Sequence, residues 1–171
     1  PFSELLLPVA AAGGDLDGAI REALRPSELE GFVGPSGRRA GSAHKEVALL
    51  SLPQLLCLQL QRVTYDAEAG RARKLDASVA FPLRLDMGPY VSSGGNGGSW
   101  RYVLHAVLLH EGAASSGHYQ CVCRAGGGSG WVRLSDDDCE VADDDLVRRL
   151  CAGEVAAGAP YCLYYARDDG G

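Results

Sequence analysis

Alternation with a period of two, interrupted by glycine-rich stretches, is what most narrows the folds open to this chain. From Leu56 to Val63 the leucines at 56, 58 and 60 alternate with Cys57, Gln59 and Gln61. Successive side chains of a strand point to opposite faces, so the run predicts a strand with one face buried. Val79, Phe81, Leu83 and Leu85 repeat the spacing and predict another. Three later runs, Tyr102 to His110, Tyr119 to Arg124 and Tyr161 to Ala166, are rich in aromatic and β-branched residues and bounded by glycine clusters. They read as neighbours in one antiparallel sheet. The expected class is α+β, a mainly antiparallel twisted sheet over roughly residues 52 to 166 with two short helices.

Those helices have their own signals. Asp15 can cap a helix in which Leu16, Ala19, Ile20, Ala23 and Leu24 share one face and which stops before Pro26. Asp143 to Cys151 opens on three acids, which favour a helix N-terminus, and places Leu146, Val147, Leu150 and Cys151 on one side. Ser92 to Ser99 and Ala125 to Gly130 are glycine and serine throughout, or nearly so, and read as surface loops. Glu111 to Gly117, also small residues, reads as a loop ahead of a strand that starts near His118.

Composition excludes several classes. A net charge of −6 with no basic cluster argues against nucleic acid. No run reaches the ~18 apolar residues of a membrane span, so the expected setting is soluble and intracellular. With 46% hydrophobic residues over 171 positions, one compact domain can bury a core. The start on Pro1, directly into a structured pattern, suggests a segment of something longer. The six cysteines, at 57, 121, 123, 139, 151 and 162, read as reduced thiols, with Cys121 and Cys123 on one face of a strand.

His118, in Gly117-His118-Tyr119, would read as a structural or surface histidine before a catalytic one if it stood alone. Its company is ordered: Tyr102-Val-Leu-His-Ala-Val-Leu-Leu-His-Glu-Gly, then Ser116-Gly-His-Tyr, then Trp131-Val-Arg-Leu-Ser-Asp-Asp, then Tyr161-Cys-Leu-Tyr-Tyr. Together these runs resemble the histidine box of the ubiquitin-specific proteases. Leu52-Pro-Gln-Leu-Leu-Cys-Leu-Gln-Leu-Gln-Arg and Phe81-Pro-Leu-Arg-Leu-Asp-Met, with Lys45 and Lys74 in place, resemble the preceding strands of that family. The opening Pro1-Phe-Ser-Glu-Leu resembles the segment entering its fingers.

The resemblance implies a papain-like cysteine protease fold in which this chain supplies the palm and part of the fingers, with the thumb missing. Residues 1–50 would be a fingers-entry segment with a helix and residues 51–171 the palm. It implies an isopeptidase acting at the carboxy-terminal glycine of ubiquitin, with His118 as general base and then acid. Four residues after the tryptophan the family mostly has Asp or Asn; here stands Ser135, so the orienting group is Ser135 with Asp136 in support, or Asp136 alone. Gly117, Tyr119, His110 and Trp131 match substrate-binding positions, while His105, His44, Asp137 and Asp138 are read as structural or solvated.

Two family elements are not matched. No cysteine here has the flanking pattern of the nucleophile's cysteine box, although spacing alone does not exclude Cys139, so the chain is expected to be inactive alone and to need the missing amino-terminal half of the domain. The alternative is a catalytically dead module that holds ubiquitin. Where a Cys-x-x-Cys zinc knuckle commonly lies, this chain has Gly34-Pro35-Ser36-Gly37, so no metal and no cofactor are expected. Without a thumb, the sheet face carrying His118 should expose apolar surface and leave the chain marginally stable. Ser92 to Ser99 and Glu111 to Gly117 match mobile loops bordering the channel for ubiquitin's tail.

Overall fold

The computed structural model describes residues 4–10, 12–39, 41–92, 99–126, 130–155 and 158–168. In chain order these form β1 (Leu5–Pro8), α1 (Leu16–Ala23), β2 (Ser27–Glu30), β3 (Ser42–Lys45), β4 (Leu55–Gln61), β5 (Val63–Asp66), β6 (Arg71–Lys74), β7 (Arg84–Asp86), β8 (Arg101–Ala113), β9 (Ser116–Arg124), β10 (Trp131–Ser135), β11 (Asp138–Ala142), α2 (Asp144–Cys151) and β12 (Ala159–Arg167). The class is α+β. One sheet runs β1-β4-β12-β8-β9-β10-β11, with β7 paired to β8 outside that path. Its pairings are antiparallel except β1 with β4. The segments β2–β3 and β5–β6 are separate two-stranded ribbons.

Both helices begin as their caps dictate. The Asp15 carboxylate accepts from the Gly18 N–H at 2.8 Å, and that of Asp143 from the Leu146 N–H at 2.6 Å. Each lays an apolar stripe on the sheet, Leu16, Ala19 and Ile20 from α1, Val147 and Leu150 from α2. The core face of the sheet carries Leu56, Leu58 and Leu60 of β4, Leu163 and Tyr165 of β12, Leu104 and Val107 of β8, and Val122 of β9.

Four expectations need correction. Leu56 to Val63 is two strands, because Arg62 turns fully inward between β4 and β5. Its Nε donates to the Pro160 carbonyl at 2.5 Å, and its Nη1 to the carbonyls of Leu75 and Ala77 at 3.0 and 2.7 Å. A guanidinium taken out of water needs such partners, and meeting them breaks the strand. Val79 to Leu85 is not one strand either; only β7 joins the sheet. Upstream of it, Ala80 bonds Gly14 and Leu16, and the Phe81 N–H bonds Cys151, while Pro82 has no N–H for a ladder.

The third concerns Glu111 to Gly117, which is strand except for a two-residue turn, Ala114–Ser115. Gly112, at φ 104°, faces Gly117 across the pair, so two glycines let the backbones meet where bulkier residues would force a loop. The fourth concerns the bare face. Strand alternation and register put the exposed Leu6, Leu55, Tyr119, Leu134 and Val141 opposite the face that carries His118. Of the glycine-rich loops, residues 93–98 and 127–129 lie outside the described residues.

Candidate active site

His118 is the third residue of β9, opposite Glu111 of β8. Alternation from Val122 turns its ring to the core face, beyond the packed residues, where its side chain stays 41% exposed. The next strand, β10, ends in Ser135 just past the Leu134–Cys121 pair, which makes Ser135 the diagonal neighbour of His118 on that face. The Ser135 Oγ lies 2.8 Å from His118 Nε2. Asp136 opens the turn into β11 at φ 49°, a conformation Asp tolerates, and its Oδ2 lies 3.8 Å from Nδ1. That carboxylate is 82% exposed, so water screens its pull on the ring.

The geometry separates two roles. Ser135 engages Nε2, and Asp136 stands near Nδ1 but outside hydrogen-bond reach. A hydroxyl both donates and accepts. When Nε2–H donates to Oγ, Nδ1 is a free base; when Oγ–H donates to Nε2, Nδ1 carries the proton.

The other residues singled out in the sequence do not converge on that face. Tyr119 and His110 pair across β9 and β8 on the opposite side, ring centroids 4.7 Å apart. Tyr161, not among the expected site residues, completes a trio at 6.0 Å from His110 and 5.8 Å from Tyr119. Tyr119 is half exposed, and His110 is buried behind it. Gly117 lies between the two sides: a Cβ there would fall 2.3 Å from both the Glu111 carbonyl oxygen and His110 Nε2.

Trp131 departs from its expected place on a substrate surface. It is 4% exposed, within the core, with the Arg124 guanidinium 4.4 Å over its ring. Its large apolar area is worth more buried than presented.

Burial, and after it the Lys74 ammonium, hold the His110 imidazole below its ordinary pKa. The unfolded chain, with histidine near ~6.5, therefore binds the proton more readily than the folded one. Folding stability contributed by neutral His110 is present above that value and is lost as pH falls toward the depressed one. We expect urea midpoints to drop between pH 7.5 and 5.5, and His110→Gln to flatten part of that slope.

All six cysteines are free thiols. Cys57, Cys121, Cys123, Cys139 and Cys162 all point, by register, to the face opposite His118. Burial raises Cys57, pushes Cys121 up to about 11 and Cys162 to about 12. Cys151, on α2, is likewise raised by burial to about 11. Thiols so shifted stay protonated and unreactive at neutral pH. Among the described residues no group of three or more His, Cys, Asp or Glu is placed to hold a metal ion, and no helix is long and apolar enough to cross a membrane.

Comparison with known proteins places this site in context. The family model described as ubiquitin carboxyl-terminal hydrolase matches residues 21–165. Rat ubiquitin carboxyl-terminal hydrolase 48 is 38% identical over 129 residues, 73% of this chain and 12% of the rat protein. Mouse ubiquitin carboxyl-terminal hydrolase 17-like protein B is 33% identical over 177 residues, 99% of this chain and 34% of the mouse protein. A chain of the SAGA DUB module bound to ubiquitin aldehyde superimposes with a TM-score of 0.76 at 25% identity, covering 96% of this chain and 36% of that one. The chain thus spans about a third or less of the proteins it matches.

Proposed function

The chain belongs to the ubiquitin carboxyl-terminal hydrolase family, and from that premise we propose that it is the histidine-bearing portion of a cysteine-type deubiquitinase. In this reading His118 Nδ1 takes the proton of a thiol, the thiolate attacks the carbonyl at ubiquitin's carboxy-terminal glycine, and His118 returns the proton to the departing lysine amine. Ser135 holds the far nitrogen, and Asp136 stands near enough to favour the imidazolium formed in between. The observation that carries this is the His118–Ser135 contact at 2.8 Å, which engages Nε2 and leaves Nδ1, 3.8 Å from the Asp136 carboxylate, as the nitrogen not bonded to Ser135.

The nucleophile, in the same proposal, is none of the six cysteines of this chain. Support comes from the register, which turns five away from His118, and from burial, which raises the sixth, Cys151. A second reading, a module that holds ubiquitin without cutting it, draws on Ser135, whose hydroxyl leaves the ring tautomer open where a carboxylate would fix it.

Ubiquitin bearing a thiol-reactive carboxy terminus tests the assignment. Incubated with this chain, it is expected to leave all six cysteines unmodified in peptide mass spectra, while amide shifts on adding plain ubiquitin gather around Gly117, Tyr119 and His110. A mapped adduct on any cysteine overturns the external nucleophile. Shifts confined elsewhere overturn the ubiquitin site.

A further inference from the structure

We propose that Lys74 is a positioning residue for His118, acting through the backbone of β8; the inference rests on the reading of His118 as the proton carrier. Lys74 closes β6, and its ammonium donates to the carbonyls of His110 at 2.8 Å and Gly112 at 3.0 Å. Those carbonyls flank Glu111, the residue directly opposite His118, and the residues that own them pair with Tyr119 and Gly117. The clamp thus grips the stretch of β8 that pairs with His118 and its two neighbours.

The need for a clamp follows from the topology. β12 supports β8 only as far as the Ala159–His110 pair. From Glu111 to Tyr119 the hairpin projects past that support with its pairing between β8 and β9 only, and two strands alone are marginal in water. Carbonyls on the side of β8 away from β9 would otherwise turn to solvent. Lys74 satisfies two of them with charge-assisted bonds, which are shorter and stronger than neutral ones.

The lysine is itself anchored. The neighbouring Leu75 N–H donates to the Arg62 carbonyl at 2.6 Å, and the buried Arg62 guanidinium returns bonds to the carbonyls of Leu75 and Ala77. A rigid line therefore runs from the core at Arg62, through the end of the β5–β6 ribbon, to the strand opposite His118. A displacement of that ribbon would be felt at the ring. Its first strand, β5, carries the exposed Val63 and Tyr65, so the ribbon has side chains with which a binding partner could move it.

Lys74→Met, which keeps the stem and removes the donors, separates positioning from bulk stability. Hydrogen exchange at the hairpin amides, residues 111 to 118, is expected to rise about tenfold or more while β4 and β12 exchange as before. The imidazole nitrogen signals of His118 should lose the signature of the Ser135 bond. Lys74→Arg, whose planar fork can serve two carbonyls, should restore both readouts. Unchanged hairpin exchange, a uniform rise across the whole sheet, or failure of Lys74→Arg to rescue the ring signals would each overturn the proposal. These readouts follow the ring and not the reaction, so a chain that never engages ubiquitin would sink the deubiquitinase reading and leave this one standing.

Discussion

Replacing Arg62 with leucine is expected to lower the unfolding free energy by roughly 3 kcal/mol, a large share of the ~5 to 15 kcal/mol typical of a folded domain. The guanidinium is fully buried and serves three carbonyls, those of Pro160, Leu75 and Ala77, drawn from the start of β12 and the end of the β5–β6 ribbon. Leucine fills the volume but leaves all three acceptors dry. Removing a buried charge returns its desolvation cost, which keeps the loss below a simple sum of three bonds. Arg62→Lys should fall between the two, since one ammonium cannot meet acceptors spread across a planar fork. Urea unfolding measures both; a loss under about 1 kcal/mol for leucine would mean the carbonyls find other donors.

Gly117→Ala is expected to cost about 2 kcal/mol or more and to break the His118–Ser135 contact. The added methyl would stand 2.3 Å from the Glu111 carbonyl oxygen and 2.3 Å from His110 Nε2. Neither can give way cheaply. The first is backbone inside a paired hairpin, and the second belongs to a buried ring with Tyr119 packed 4.7 Å away. The strand must shift, carrying the adjacent His118 off its diagonal with Ser135. Gly126→Ala is the control, because no described residue lies within 4 Å of a Cβ at that position. Equal behaviour of the two variants in unfolding and in the His118 ring spectrum would show that close approach at 117 has no part in holding the site.

How far the structure could be read from sequence depends on whether burial left a periodic trace. β4 buries one face, so its alternation was visible; β8, β9 and β12 showed instead as aromatic and β-branched runs between glycines, and both helices through their aspartate caps. β2 and β3 bury almost nothing, and Ser27–Glu30 or Ser42–Lys45 offer no contrast between faces. β1 is apolar at every position but Pro8, so its parallel pairing with β4 had no pattern to announce it. Arg62 and Lys74 stood in matched runs, but their bonding roles escaped because their partners are carbonyls 13 to 98 residues away, and a carbonyl is the same in every residue.

The site itself divides in the same way. The order of motifs brought His118, Ser135 and Asp136 to attention, and the register of β9 with β10 supplies the reason they meet. Alternation also separates Tyr119 and His110 from His118, a consequence of adjacent numbering in a strand that motif order alone does not reveal. Trp131 shares a strand with Ser135, yet it lies four residues from it, where the same face has become core.

The nitrogen spectrum of the His118 ring, recorded for the chain and for Ser135→Ala, bears most directly on whether this histidine is a positioned base. We expect the unaltered chain to give one hydrogen-bonded Nε2 environment and Ser135→Ala to replace it with the averaged signals of an untethered imidazole, the rest of the sheet unchanged. A ring already averaging between tautomers, or one indifferent to the loss of the Ser135 hydroxyl, would contradict the account.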